Sequence, residues 1–145
     1  MSWKTLGSVA PKALADARLQ LHQAALAART NGASEVRCWP HHFDLGTLVV
    51  IASNPDGSLA ESIGIGLSPG DESYAEPYWY VSPWPYPETA ALPALESGGH
   101  WHTAGYTSAI LTGSELTAGP RESQFERLHS FLDTAVASSR DVLSS

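Results

Sequence analysis

The stretch FDLGTLVVIASNPDGSLAESIGIGL, residues 43–67, decides the fold. Phe43, Leu45, Thr47, Val49 and Ile51 fall on one face of an extended segment. His42, Asp44, Gly46, Leu48 and Val50 fall on the other, which is the period-two alternation of a strand. The strand starts half polar and ends apolar on both sides. Ser53-Asn54-Pro55-Asp56-Gly57-Ser58 is turn chemistry: proline presets one turn dihedral and glycine accepts a positive φ. A second strand over Leu59 to Leu67 is therefore predicted to return antiparallel. Ile63, Ile65 and Leu67 share a face of it. Gly64 and Gly66 leave the opposite face bare, the pattern of a bulge or of a group packed close to the backbone.

Upstream of this hairpin, PKALADARLQLHQAALAART from Pro11 contains no glycine and no β-branched residue before Thr30, and opens on a proline that a first helical turn tolerates. Leu14, Ala17, Leu21, Ala24, Ala25 and Ala28 recur at helical spacing, and Asn31-Gly32 closes the helix. Downstream, SPGDESYAEP (68–77) reads as a loop. EPYWYVSPWPYP then supplies a third strand at Tyr78 to Val81, and four prolines between Pro77 and Pro87 argue against a long central strand. Glu88 to Gly99 reads as a connection with one helical turn at ETAALPAL. HWHTAGYTSAILTG is predicted as a fourth strand. From Gly119-Pro120 a C-terminal helix carries Phe125, Leu128, Leu132, Ala135 and Val136 on its apolar stripe.

The predicted fold class is α+β: a four- or five-stranded, mostly antiparallel sheet with the N-terminal and C-terminal helices packed on one face. The 145 residues make one domain, long enough to bury a core without staples. Residues 1–10 and 139–145 are expected to be loosely ordered ends. No long helix separates the middle strands, so Gly64-x-Gly66 lacks the strand-to-helix context of a dinucleotide fingerprint.

Fifteen acidic against eight basic side chains give a net charge of -7, and the cations are scattered. Such a surface repels phosphate backbones and anionic headgroups, which argues against nucleic acid and membrane partners. The single Cys38 cannot form an internal disulfide, and the N-terminus shows no apolar run of signal-peptide length. Cytoplasmic residence is the expectation. Cys38 fits a buried strand cysteine better than an activated thiol.

The order HFDL (42–45), GIGLSPGDESYAEPYWYVSPWP (64–85) and WHTAGYTSAIL (101–111) resembles a family of bacterial proteins of unknown function, mostly actinobacterial. The positions that match its pattern are Phe43, Asp44, Leu45, Pro69, Gly70, Asp71, Glu76, Pro77 and Tyr78. The resemblance spans nearly the whole chain, including the DARLQLHQAA helix, and implies a small α+β domain. It implies no reaction, since the family has none established to carry over.

Three groups of side chains carry the candidate chemistry. His42 and Asp44 stand two apart on a strand, about 6–7 Å apart at the backbone and on one face, able to reach one ion or one proton. His100 and His102 flank Trp101 with the same spacing, and a metal cluster drawn from both pairs is geometrically allowed. Proton transfer is preferred over metal, because the two histidine pairs lie nearly sixty residues apart and Cys38 stands alone. The plainer alternative is that these histidines cap strand ends. Glu76 is read in two ways: as a carboxylate accepting its own loop's N–H groups, or, held by Pro77 among Tyr78, Trp79 and Tyr80, as a partly desolvated group with a raised pKa suited to acid–base work that pairs naturally with Asp44. Asp71 is predicted either to accept its own loop's N–H groups in an Asx-type turn or to face a ligand.

The candidate catalytic residues are thus His42, Asp44 and Glu76, and the candidate ligand-binding residues Asp71, Tyr78, Tyr80, His100, Trp101 and His102. No residue is assigned to a metal, and nothing identifies a cofactor. The expected function is binding of a small molecule in a His/carboxylate/aromatic pocket, whether or not a reaction follows. The alternative is a protein-interaction or homo-oligomerisation module using the aromatic-proline face. Titratable groups converging on the aromatic face favour the pocket, and a flat apolar patch favours the module.

Overall fold

A computed structural model describes residues 37–39, 44–95 and 98–144. Six strands, β1 (Arg37–Trp39), β2 (Asp44–Ser53), β3 (Leu59–Ser68), β4 (Tyr78–Trp84), β5 (His100–His102) and β6 (Ser108–Thr112), form one sheet in the order β1-β2-β3-β4-β6-β5. Every neighbouring pair is antiparallel. Two helices follow, α1 (Gly113–Thr117) and α2 (Gln124–Ser144). The α+β class and the C-terminal helix are as expected. The predicted N-terminal helix, His42 and Phe43 lie outside the described residues, and Cys38 and Asp44 are described as backbone only.

The β2–β3 hairpin forms as its alternation and turn chemistry require. Asn54 N–H donates to the Ser58 carbonyl at 2.8 Å, and Gly57 takes φ 87° with its N–H on the Asn54 carbonyl at 2.9 Å. Asp56 Oδ1 accepts from both the N–H (2.9 Å) and the hydroxyl (2.6 Å) of Ser58. An irregularity between Val50 and Ser53 takes up the register mismatch before the turn.

Three expectations are corrected. Residues 100–112 make a hairpin, β5–β6, rather than one strand. Gly105 at φ 86° reverses the chain between the two halves, and this with the short β1 raises the strand count to six. Strand β4 extends past Val81 to Trp84 despite Pro83 and pairs Ile63 with it. Pairing of β4 with β6 ends at Val81↔Ala109, so β4 is an edge strand beyond that point, where proline is tolerated. Helix α2 begins at Gln124 rather than near Pro120 and runs to Ser144, so residues 139–144 are not a loose end: Ser139 is buried and Leu143 packs against the core.

The core lies between α2 and one face of the sheet. Val49, Ile63, Ile65, Trp79, Val81, Ala109 and Leu111 meet Leu128, Phe131, Leu132 and Ala135 of the helix. Burying each large side chain contributes roughly 1.5–3 kcal/mol. Phe125, expected on the buried stripe, sits in the first helical turn and is 54% exposed. The aromatic facing the sheet is Phe131. His129 pairs with Asp133 at 3.2 Å on the outer side of the helix.

The register places a second set of residues on the sheet face away from α2. One row across it runs Gly46, Gly66, Tyr80, Ile110, His100. The next runs Leu48, Gly64, Ser82, Ser108, His102, with Ser82 and Ser108 joined hydroxyl to hydroxyl at 2.7 Å. Alternation also puts the backbone position of Asp44 on this face, beside Trp39 of β1.

Candidate functional site

The loop between β3 and β4 is shaped by its own polar groups. Asp71 Oδ1 accepts the N–H groups of Ser73 (2.8 Å) and Tyr74 (3.1 Å), the Asx-type turn its place after Pro-Gly predicts, and Asp71 N–H closes the turn on the Tyr74 carbonyl at 2.8 Å. Gly70 has φ 113°, and a Cβ there would meet the Glu76 backbone at 3.1 Å, so this bend requires glycine. The free oxygen of Asp71, Oδ2, accepts the Tyr78 hydroxyl at 2.6 Å. Burial, and then this bond, push the Tyr78 phenol well above the usual tyrosine value.

The same turn delivers Tyr74 to the β5 edge. Its hydroxyl lies 2.8 Å from His100 Nε2 and 3.0 Å from His102 Nδ1, bridging the two imidazoles. His100 Nδ1 reaches Glu115 Oε1 at 3.3 Å. His102 Nε2 lies 2.8 Å from the Ala104 carbonyl, and its ring stacks on Tyr106 with centroids 4.2 Å apart. Tyr74 packs against Tyr78 at 5.1 Å. Burial, then the neighbouring Tyr106, Glu115 and Asp71, raise the Tyr74 phenol above its ordinary value. The Tyr106 hydroxyl is sealed from solvent and has no hydrogen-bond partner among the described residues.

Glu115 is fixed by a capping box at the start of α1. Its Oε1 accepts from the Thr112 N–H (3.1 Å) and hydroxyl (3.0 Å), while its own N–H donates to Thr112 Oγ1 at 3.2 Å. One carboxylate thereby caps a helix and orients a histidine.

Several site expectations change. Glu76 does not acquire a raised pKa: Ser114, through its side chain and its backbone N–H, holds the carboxyl below the ordinary value, and its Oε1 accepts that N–H at 2.6 Å. It fastens the loop to α1. Trp101 points to the helix side, packs on the core and donates its indole N–H to the Pro93 carbonyl at 2.8 Å, so it is not a wall of the His/Tyr cluster. Tyr80 remains on the site face, with its ring over Gly66, where a Cβ would collide with the Tyr80 hydroxyl and Cζ. Asp71, Tyr78, His100 and His102 are brought together around Tyr74. Tyr74, Tyr106 and Glu115 are members the sequence reading missed. Asp44 enters by register only, and His42 is outside the described residues.

Among the described residues no group of three or more His, Cys, Asp or Glu is placed to hold a metal ion, and no helix is long and apolar enough to cross a membrane. A separate groove of about 540 Å³ lies between Glu61, Pro85, Tyr86 and the Val142–Leu143 end of α2, and includes none of the cluster's residues. No family model, curated protein or solved structure matches the chain.

Proposed function

We propose that the sheet face away from α2 binds a small polar molecule beside the Tyr74–His100–His102 cluster, with these groups placed for proton transfer. The observation that carries this reading is convergence: a loop, β4, the β5–β6 hairpin and α1 bring Asp71, Tyr74, Tyr78, His100, His102, Tyr106 and Glu115 together. Gly64 and Ser82 lie half-buried in the row that ends at His102, and the buried Ser108 holds the Ser82 hydroxyl at 2.7 Å. Asp44 belongs to the same reading through its register, and His42 through its neighbourhood to Asp44.

The test is a screen of small polar metabolites by thermal shift, followed by amide NMR. Binders should perturb Ser82, Tyr106 and His102 and lose affinity at least tenfold in His102→Gln. Binders that perturb only Trp84 and Tyr86 would refute this site.

A second reading rests on Trp84 and Tyr86, which are 48% and 49% exposed and stacked edge-to-face at 5.0 Å beside the 540 Å³ groove. An exposed aromatic-proline surface of this kind suits a protein partner or a second copy of the chain. Concentration-dependent sedimentation that Trp84→Ser abolishes would favour it. We further infer cytoplasmic residence without nucleic acid or membrane partners, from the net charge of -7 and scattered cations, and membership in the mostly actinobacterial family from the order of the HFDL, SPGD and EPYWYV motifs.

A further inference from the structure

We propose that the Glu115 carboxylate, His100, Tyr74 and His102 form one proton-sharing chain that holds one hydrogen more than two neutral imidazoles and a phenol supply, and that the Tyr74 hydroxyl passes the extra proton between the two imidazoles. The inference stands on the hydrogen bonds alone and does not rest on the ligand-binding reading.

The chain has four contacts: Ala104 carbonyl to His102 Nε2 (2.8 Å), His102 Nδ1 to Tyr74 (3.0 Å), Tyr74 to His100 Nε2 (2.8 Å) and His100 Nδ1 to Glu115 (hydrogen bond to Oε2 at 3.5 Å, ion-pair contact to Oε1 at 3.3 Å). Both ends, a carbonyl and a carboxylate, can only accept. Each contact therefore needs one hydrogen from the three groups between. A neutral imidazole carries one N–H and a phenol one O–H, three hydrogens for four contacts. The set is complete only when one imidazole is an imidazolium.

Two arrangements satisfy it. In one, His100 is the imidazolium: it donates Nδ1–H to Glu115 and Nε2–H to the Tyr74 oxygen, and Tyr74 donates to His102 Nδ1. In the other, His102 is the imidazolium: it donates to the Ala104 carbonyl and to the Tyr74 oxygen, and Tyr74 donates to His100 Nε2. The two interconvert by a paired shift. The His100 Nε2–H and Tyr74 O–H bonds break, a new Tyr74 O–H and a His102 Nδ1–H form, and one positive charge moves with no change in the proton count.

Each charged position has a stabiliser. Glu115 faces His100, and the stacked face of Tyr106 lies within cation–π range of His102. Among the described residues, the titratable groups facing the chain are Glu115 from α1, Asp71 from the loop, Tyr78 from β4 and Tyr106 from the β5–β6 turn. Asp71 is already engaged by Tyr78. The result is a relay from His100 at the surface to the half-buried His102.

The experiment is a pH titration of the imidazole ¹⁵N resonances in wild type and Tyr74→Phe, with signals assigned through His100→Gln and His102→Gln and with His129 as the independent control. In wild type, His100 and His102 should respond together to a first step that adds one proton to the pair. A second step at distinctly lower pH should break the Tyr74 bridge, since the phenol oxygen then faces two donors. In Tyr74→Phe each histidine should show one separate step. Two independent full titrations in wild type would overturn the proposal, as would an unchanged pattern in a folded Tyr74→Phe. Should that variant not fold, the wild-type titration decides alone, because shared or separate steps are read there directly.

Discussion

Gly64 and Gly66 lie two residues apart on one strand and one face, yet alanine should act oppositely at them. At Gly66 a Cβ would overlap the Tyr80 hydroxyl and Cζ and stand 2.7 Å from the Leu45 carbonyl oxygen. The Tyr80 ring can swing away, at the cost of its packing. The carbonyl belongs to the β2 backbone paired with β3 and cannot retreat without opening the Leu45↔Leu67 register. Overpacking of this kind costs about 1–3 kcal/mol, and the backbone contact places Gly66→Ala near the upper end. At Gly64 the nearest described atom is the Ser82 carbonyl at 4.0 Å, so alanine meets no obstruction. Removing a glycine's excess unfolded-chain freedom there should leave stability unchanged or raise it by about 0.5 kcal/mol. The two variants should differ by roughly 2.5–3 kcal/mol in urea denaturation, or about 10 °C in melting temperature for a domain of this size. The double variant Gly66→Ala/Tyr80→Ala should recover only part of the loss, because the Leu45 oxygen stays. Equal stabilities of Gly64→Ala and Gly66→Ala would refute the close approach at Gly66.

Leu128→Ala should lose about 2–4 kcal/mol and Phe131→Ala about 3–5 kcal/mol in the same assay, while Phe125→Ala, at an exposed first-turn position, should lose less than about 0.5 kcal/mol. Glu76 has a folded carboxyl pKa below its unfolded value, so its contribution is complete above the unfolded value and disappears as pH falls through the folded one. Glu76→Gln should therefore be less stable at neutral pH by roughly 0.5 kcal/mol, a figure kept small by solvent screening, and the gap to wild type should close in acid. Tyr78 has the opposite sign: its phenol is raised, so its contribution is complete below the unfolded tyrosine value and fades as pH climbs through the folded one. Ultraviolet titration should show a late-ionising component to which Tyr78 and Tyr74 contribute, and Tyr78→Phe should remove its latest part.

The β2–β3 hairpin was legible because two independent signals coincide there, strict alternation and a turn whose residues each suit a specific dihedral. The β5–β6 hairpin was not, because Thr103-Ala104-Gly105 carries weaker turn chemistry than Asn-Pro-Asp-Gly and the apolar pattern runs on either side without a break. Phe125 and Phe131 both fit a helical stripe, and only the position of the helix start separates an exposed first-turn ring from a core one. His100 and His102 were found from local spacing, whereas Tyr74 acts across 26 and 28 residues, a distance at which sequence carries no periodic signal. Glu76 was misjudged for the same reason. Its aromatic neighbours in sequence suggested desolvation, while its real partner, Ser114, is 38 residues away.

The loop that carries Asp71 and Tyr74 is fastened at both ends. Ser68 Oγ accepts the Gly70 N–H at 3.2 Å where it leaves β3. Where it enters β4, Glu76 takes the Ser114 N–H and the Pro77 carbonyl accepts the Gly113 N–H at 2.8 Å. Tyr74 is thus positioned by the same event that folds the sheet. The entropy of ordering it is lost during folding and not again at an encounter, so the binding proposed for this cluster would be preorganised rather than adaptive. Cutting one fastening, as in Glu76→Gln, would move part of that ordering to the moment of binding, where it appears as weaker affinity with the contacts themselves unaltered.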